Sequence, residues 1–199
     1  MFERVTLQIF FAVIFVAAIQ AAPANSKANS KECVGVTFPD TVAVDGSELS
    51  LNGMGVRRAT MFDVEVYVAG LYLIEKSGDS EKVIQSNQPW ALTVQFLRDV
   101  DSADIHKASQ EGFEKAVGDK IGALKDRIEA FNAQMTALQK GQTLAYAYNP
   151  AKGTVITVNG TSGAPIQGAD FAAALLGVSI GPESPDEGLK AGLLGQACK

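Results

Sequence analysis

The chain has 199 residues and a formal net charge of −5, with 17 lysine and arginine residues against 22 aspartate and glutamate residues. An acidic chain without clusters of basic residues is a poor match for nucleic acid or an anionic lipid surface, so we expect no nucleic acid partner. With two cysteines and a single histidine, the chain offers neither a set of soft metal ligands nor a cysteine nucleophile. We therefore expect no metal and no cofactor.

The first 24 residues have the layout of a secretory signal peptide. An apolar block from Ile9 to Ile19 precedes the small residues Ala22-Pro23-Ala24, which form a cleavage-site pattern. An uncleaved anchor is the weaker interpretation, because the block is shorter than the roughly 20 residues that span a bilayer. We expect a signal peptide at 1–24, a disordered leader at 25–32 and one domain at 33–199. The mature protein would be periplasmic or secreted, with no membrane span.

The two cysteines lie near the two ends of that domain, at Cys33 and Cys198. In an oxidising compartment this pair can close a loop containing nearly the whole domain, so a structural disulfide is the favoured interpretation. Two independent thiols are the alternative.

The first part of the domain has strand patterns. Residues 34–38 and 42–44 precede an Asp45-Gly46 turn, after which apolar residues alternate through Leu51. Gly53 and Gly55 predict a glycine-rich bend, and a long alternating strand runs from position 62 to 74. The bend would place Arg57 at the mouth of any cavity that the buried face of that strand encloses.

The middle of the domain is helical. A short helix is predicted at 80–85 and a strand from Trp90 to position 96. Asp101 or Ser102 can cap a helix that runs to about Val117. Apolar residues at spacings of three and four then predict a second helix over 121–138.

The chain then returns to strands and ends in helices. Residues 144–148 and 154–158 predict a hairpin. Asp170 can cap a helix to about position 176, and Ser184-Pro185-Asp186-Glu187 has the form of a capping box ahead of a last helix at 188–194. The sum is an α+β domain in which helices cover one face or end of an antiparallel sheet.

Arg57 is the leading candidate for a functional residue. A fixed guanidinium beside an apolar cavity can bind a carboxylate or phenolate through two hydrogen bonds. The hydroxyl groups of Tyr67 and Tyr72 are available as further donors. Alternatively, Arg57 and Arg58 are solvated or pair with nearby aspartates such as Asp45 and Asp63.

Several separated motifs resemble the chalcone isomerase superfamily, in particular its bacterial-type, exported members. They are, in chain order, G-M-G-V-R at 53–57, V-A-G-L-Y-L at 68–73, F-L-R-D-V at 96–100, G-T-V at 153–155 and S-P-D-E-G-L-K-A-G-L-L-G at 184–195. The resemblance implies an open-faced β-sandwich, in which a large antiparallel sheet carries a layer of helices and the ligand cleft lies between them.

The resemblance also implies site residues. In the plant enzymes an arginine matching Arg57 holds the substrate phenolate while the flavanone ring closes, and a strand threonine assists. Here Tyr67 takes the threonine position, and Val178 and Ser179 fall where the family contacts its substrate. The family's tyrosine and asparagine between the helices have no counterpart at 116–124.

Three functions follow from this comparison. The first is non-catalytic binding of a small apolar or carboxylated ligand such as a fatty acid, with Arg57, Tyr67, Tyr72 and Ser179 as ligand-binding residues. The second is an intramolecular lyase, an isomerase of a phenolic substrate, that uses Arg57 and Tyr67 as catalytic groups. The third is a structural or partner-binding module whose cleft is collapsed around Tyr67.

Overall fold

The computed structural model describes residues 29–59 and 63–198, so the signal peptide predicted at 1–24 lies outside the described residues. The strands in these ranges are β1 (Ser30–Cys33), β2 (Val36–Pro39), β3 (Thr41–Val44), β4 (Ser47–Ala59), β5 (Val64–Leu73), β6 (Trp90–Phe96), β7 (Thr143–Asn149), β8 (Gly153–Val158) and β9 (Thr161–Ser162). The helices are α1 (Ser80–Gln85), α2 (Ser102–Val117), α3 (Ile121–Asn132), α4 (Ala169–Ile180) and α5 (Glu187–Leu193), with a 3₁₀ turn at Gly118–Lys120 before α3. In the described part of the chain, no helix is long and apolar enough to cross a bilayer.

Strands β3 to β9 form a seven-stranded antiparallel sheet in which each strand pairs with the next one along the chain. The helices pack on one face of this sheet, and the hairpin of β1 and β2 covers part of the other face. The predicted α+β class is confirmed, because helices cover one face of an antiparallel sheet. The hairpin adds a second, smaller core to the open-faced sandwich.

Strand β5 shows how alternation divides the two cores. Ala69 and Leu71 belong to the larger core between sheet and helices, whereas Val68 and Tyr72 belong to the smaller core beneath the hairpin. Because successive side chains of a strand point to opposite faces, Tyr67 lies on the helix side and Tyr72 on the hairpin side.

Strand β4 continues through the segment predicted as a glycine-rich bend, and that prediction is wrong. The glycines are needed for close packing: a Cβ atom on Gly55 would lie 2.9 Å from the Cα atom of Leu189, and one on Gly53 would lie 2.7 Å from the backbone nitrogen of Gly195. Helix α5 therefore lies directly on the backbone of β4. The pairing of β4 with β5 shifts register at Asn52.

At this shift of register, the Asn52 side chain forms hydrogen bonds that connect β4 to α5. Its side-chain amide donates to the carbonyl groups of Ser77 and Leu193, and its carbonyl oxygen accepts from the backbone N–H of Ser77 at 2.8 Å. The end of α5 is thereby fixed to the sheet.

Helix α3 ends six residues earlier than its apolar stripe predicts. The backbone N–H of Ala133 still bonds to Glu129, but Leu138 exchanges two backbone hydrogen bonds with Val100, at 2.8 and 2.9 Å. Met135 and Leu138 stay buried although they lie beyond the helix. The bridge to Val100 therefore replaces the last helical turns.

Two predicted caps are also corrected. Helix α4 begins after Gly168, so Asp170 lies in its first turn. Helix α5 is capped by Asp186, whose carboxylate accepts the N–H of Leu189, and the hydroxyl of Ser184 instead donates to the carbonyl of Ser179.

Cys33 and Cys198 are joined by a disulfide, with their Cα atoms 6.0 Å apart. The bond ties the segment that follows α5 to the end of β1, since α5 ends at Leu193 and Cys33 is the last residue of β1. The predicted leader overlaps β1, since residues 30–32 pair with residues 37–39, and this part of the leader prediction is wrong.

Candidate functional site

A cavity of about 160 Å³ lies between the helix-facing side of the sheet and helices α2 and α4. Most of its lining is apolar, from β5, β6, β7 and the three helices α2, α3 and α4. The polar groups on the lining are hydroxyls, and they belong to Tyr67, Ser109, Tyr146 and Ser179. An apolar cavity with a few polar groups is the usual form of a small-molecule site.

The two tyrosines on the lining lie on strands that flank β6. The Tyr67 ring lies 5.6 Å from Phe96, and the Tyr146 ring lies 5.8 Å from Phe131. Burial raises the pKa of Tyr67 to about 12. Burial also raises the pKa of Tyr146, and the neighbouring Tyr67 raises it further. Both hydroxyls therefore stay protonated at neutral pH and can donate hydrogen bonds.

Neither of these hydroxyls has a hydrogen-bond partner within residues 29–59 and 63–198. Neither is a fully buried, unpaired group, so each can be reached from the cavity and can donate to an acceptor from outside the chain.

Arg57 lies directly opposite Tyr67 in the pairing of β4 with β5. Its Nη1 atom donates to the carboxylate of Asp186 at 3.3 Å and to the carbonyl of Arg58. The side chain is 26% exposed. Among the described residues the Nε and Nη2 groups have no acceptor, so they remain available to a ligand. Arg57 borders the cavity through Tyr67 and is not itself part of the lining.

Asp186 fixes this guanidinium. Burial alone would raise the pKa of Asp186, but the backbone N–H groups of Leu189 and Arg58 and the Arg57 guanidinium donate to the carboxylate and hold its pKa below the ordinary value. The carboxylate is therefore charged near neutral pH.

In the ion pairs of the described residues, neither Asp45 nor Asp63 is a partner of Arg57 or Arg58. Asp45 pairs with Lys152, and Arg58 pairs with Glu65 at 2.9 Å. Arg57 pairs with Asp186, which lies 129 positions further along the chain.

A model of the chalcone isomerase-like family matches residues 30–195. The chain belongs to the chalcone isomerase-like family. No curated protein matches it by sequence. Among solved structures, a fatty-acid binding protein of Arabidopsis thaliana is similar, with a TM-score of 0.65 and 14% sequence identity over 84% of this chain and 96% of that protein. At this identity the similarity shows the fold, and it confirms the predicted chalcone isomerase-like architecture.

In this chalcone isomerase-like protein, three of the four predicted ligand residues lie together. Tyr67 and Ser179 line the cavity, and Arg57 is next to Tyr67. Tyr72 lies on the opposite face of the sheet, fully buried in the smaller core, where burial and the nearby Asp40 raise its pKa to about 12. We therefore remove Tyr72 from the candidate site.

Two residues of the site were missed in the sequence. Tyr146 falls on the same face of β7 as Leu144 and Tyr148, so alternation alone could have placed it toward the helices. Asp186 gives no such signal, because its contact with Arg57 depends on how α5 packs on β4.

A larger hollow of about 750 Å³ lies between α1, α2, α3 and α4. Much of its lining is alanine and glycine, and none of the predicted site residues is on it.

Proposed function

We propose that this chalcone isomerase-like protein binds a small apolar carboxylic acid, such as a fatty acid, without converting it. The observation that carries this proposal is the pair of protonated, unpartnered hydroxyls of Tyr67 and Tyr146 on an otherwise apolar cavity, beside the guanidinium of Arg57. The similar fold of a fatty-acid binding protein supports the same class of ligand.

The acid would place its carboxylate at the Arg57 side of the cavity. The Nε and Nη2 groups of Arg57 can donate to one carboxylate in a bidentate arrangement, and the Tyr67 hydroxyl can donate to the same oxygens. Asp186 holds the guanidinium in this orientation and offsets part of its charge. The apolar part of the ligand would then occupy the apolar cavity, where its burial contributes about 25 cal/mol per Å².

The chemistry of the lining favours binding over catalysis. Among the residues that the structure describes, the lining has no histidine, cysteine, lysine or carboxylate residue. A phenol with a pKa of about 12 is a poor general base at neutral pH, since catalytic groups work best when their pKa lies near the operating pH. The cavity is open to a ligand, so the alternative of a cleft collapsed around Tyr67 is not proposed.

Arg57→Ala tests the binding site. We expect it to weaken binding of a carboxylic acid, measured by isothermal titration calorimetry, by roughly 1.5–3 kcal/mol, the range for a hydrogen bond to a charged group. Arg127→Ala is a matched control, because Arg127 also pairs with an aspartate, Asp170, at 2.8 Å, but lies away from the cavity. Equal affinities of wild-type protein and Arg57→Ala would refute the anchoring role.

Export is also part of the proposal. The predicted signal peptide at 1–24 supports it, and the disulfide between Cys33 and Cys198 is of the kind that persists in oxidising compartments. Mass spectrometry of the protein recovered from the periplasm or medium would test it. An intact mass that retains residues 1–24 would contradict cleavage.

A further inference from the structure

We propose that the apolar part of the ligand is a single aromatic ring and that long acyl chains are excluded. This inference depends on the proposed binding of a carboxylic acid in the same cavity. It rests on three features of the site, which are the volume of the cavity, the way its inner end is closed and the chemistry of its walls.

The volume of the cavity matches that of one aromatic ring. An apolar protein cavity of about 150 Å³ accepts a benzene molecule. The cavity beside Tyr67 measures about 160 Å³. An acyl chain of twelve or more carbons would need a second space of similar size beyond it.

The inner end of the cavity is closed by an aromatic cluster. The rings of Phe113 and Phe131 pack edge to face at 5.6 Å, and Phe171 stacks on Phe113 at 5.7 Å behind them. All three rings are at most 3% exposed. A chain that reached this end would have to displace side chains from the main core, and such overpacking is destabilising.

The helix wall is closed as well. A Cβ atom on Gly112 of α2 would lie 2.6 Å from a methyl group of Val178 on α4, and one on Gly177 would lie 3.3 Å from the Cβ atom of Ala116. These close contacts between α2 and α4 lie between the cavity and the larger hollow of about 750 Å³, so an acyl tail has no passage from one to the other.

The walls suit a flat aromatic ligand. Within the described part of the chain, five aromatic side chains line the cavity, and they are Tyr67, Phe96, Phe113, Phe131 and Tyr146. Ring pairs in stacked or edge-to-face arrangements contribute favourable energy beyond the burial of their area. A six-membered ring held among them, with its carboxylate toward Arg57, would contact both the aromatic walls and the guanidinium.

Calorimetric titration of the wild-type protein with two series of acids tests this inference. The first series is benzoate, phenylacetate and 3-phenylpropanoate, and the second is hexanoate, octanoate, dodecanoate and hexadecanoate. We expect the best arylalkanoate to bind at least tenfold more tightly than dodecanoate or hexadecanoate. If either long acid binds as tightly, the inference is overturned while the proposed function stands. If no acid in either series binds, the proposed function itself fails.

A pair of conservative variants tests the closed end. Phe131→Leu shortens a side chain that closes the cavity, so the affinity for dodecanoate relative to 3-phenylpropanoate should rise about tenfold. Phe38→Leu is the matched control, since Phe38 is buried to a similar degree, 2% against 3% exposed, but lies in the smaller core. An unchanged preference in Phe131→Leu, or an equal change in Phe38→Leu, would overturn the role of the aromatic cluster.

Discussion

Replacing Asp186 with alanine should destabilise the protein more than removing any ordinary helix cap. Its Oδ1 atom accepts the N–H of Leu189 at 2.8 Å, as a cap does. Its Oδ2 atom accepts the backbone N–H of Arg58 at 2.7 Å and the Arg57 guanidinium at 3.3 Å. Alanine removes all three contacts together.

The expected loss follows from these contacts. Loss of an N-cap costs about 1 kcal/mol. The N–H of Arg58 would be left without its acceptor, which adds roughly 1–3 kcal/mol if water does not replace it. The ion pair with Arg57 is partly exposed and adds about 0–1 kcal/mol. Asp186→Ala should therefore lower the free energy of unfolding by about 2–5 kcal/mol.

Urea unfolding at neutral pH measures this loss. Asp101→Ala is a matched control, because Asp101 caps α2 through a single bond to the N–H of Asp104 at 2.8 Å. That variant should lose about 1 kcal/mol. If Asp186→Ala loses no more than Asp101→Ala, the proposed role of Asp186 in joining β4 to α5 is refuted.

The pH dependence supplies a second readout. The folded pKa of Asp186 is lowered, so its stabilising contribution is present above the unfolded pKa of about 3.9 and is lost as the pH falls through the lower folded value. Asp186→Asn can keep the cap but cannot titrate. The difference in stability between wild-type protein and Asp186→Asn should therefore shrink below pH 4, and a constant difference would contradict the assignment.

Three further predictions concern the disulfide, the strand glycines and catalysis. The bond between Cys33 and Cys198 joins positions 165 apart. By the chain-entropy relation, its reduction should lower the free energy of unfolding by up to about 5 kcal/mol. Urea unfolding curves that coincide with and without reductant would contradict this. Gly55→Ala should strongly lower the thermal midpoint because its Cβ would collide with the backbone of α5, whereas Gly122→Ala, which meets nothing within 4 Å, should leave it unchanged or raise it. The protein should not accelerate flavanone formation from chalcones above the uncatalysed rate, measured by absorbance; acceleration would restore the isomerase alternative.

Much of the fold could be predicted because hydrophobic alternation and capping residues act locally. The strand Trp90–Phe96, the helix Ser102–Val117 and the hairpin of β7 and β8 lie close to where their patterns place them. The end of α3 could not be predicted, because Leu138 keeps the helical spacing of buried residues while its backbone pairs with Val100. The spacing of buried residues alone therefore does not distinguish a continued helix from an extended segment at this position.

The site was predictable only in part, for a related reason. Gly53 and Gly55 are compatible with either a bend or a close approach of another segment, and only the position of α5 decides between them. The pairing of Arg57 with Asp186 follows from the same packing. Arg57 and Tyr67, by contrast, lie on neighbouring strands separated by a short connection, so their proximity could be expected.

The raised tyrosine pKa values make the cavity insensitive to pH over a wide range. The pKa of Tyr67 is raised to about 12 and that of Asp186 lies below its ordinary value, so these two groups keep the same charge between about pH 5 and pH 10. Any change of affinity in that range would then come from ionisation of the ligand. A carboxylic acid, with a pKa near 4, would bind at constant strength, whereas a phenol, with a pKa near 10, would bind more tightly as the solution becomes alkaline. The dependence of affinity on pH thus shows whether an unidentified ligand is a carboxylic acid or a phenol.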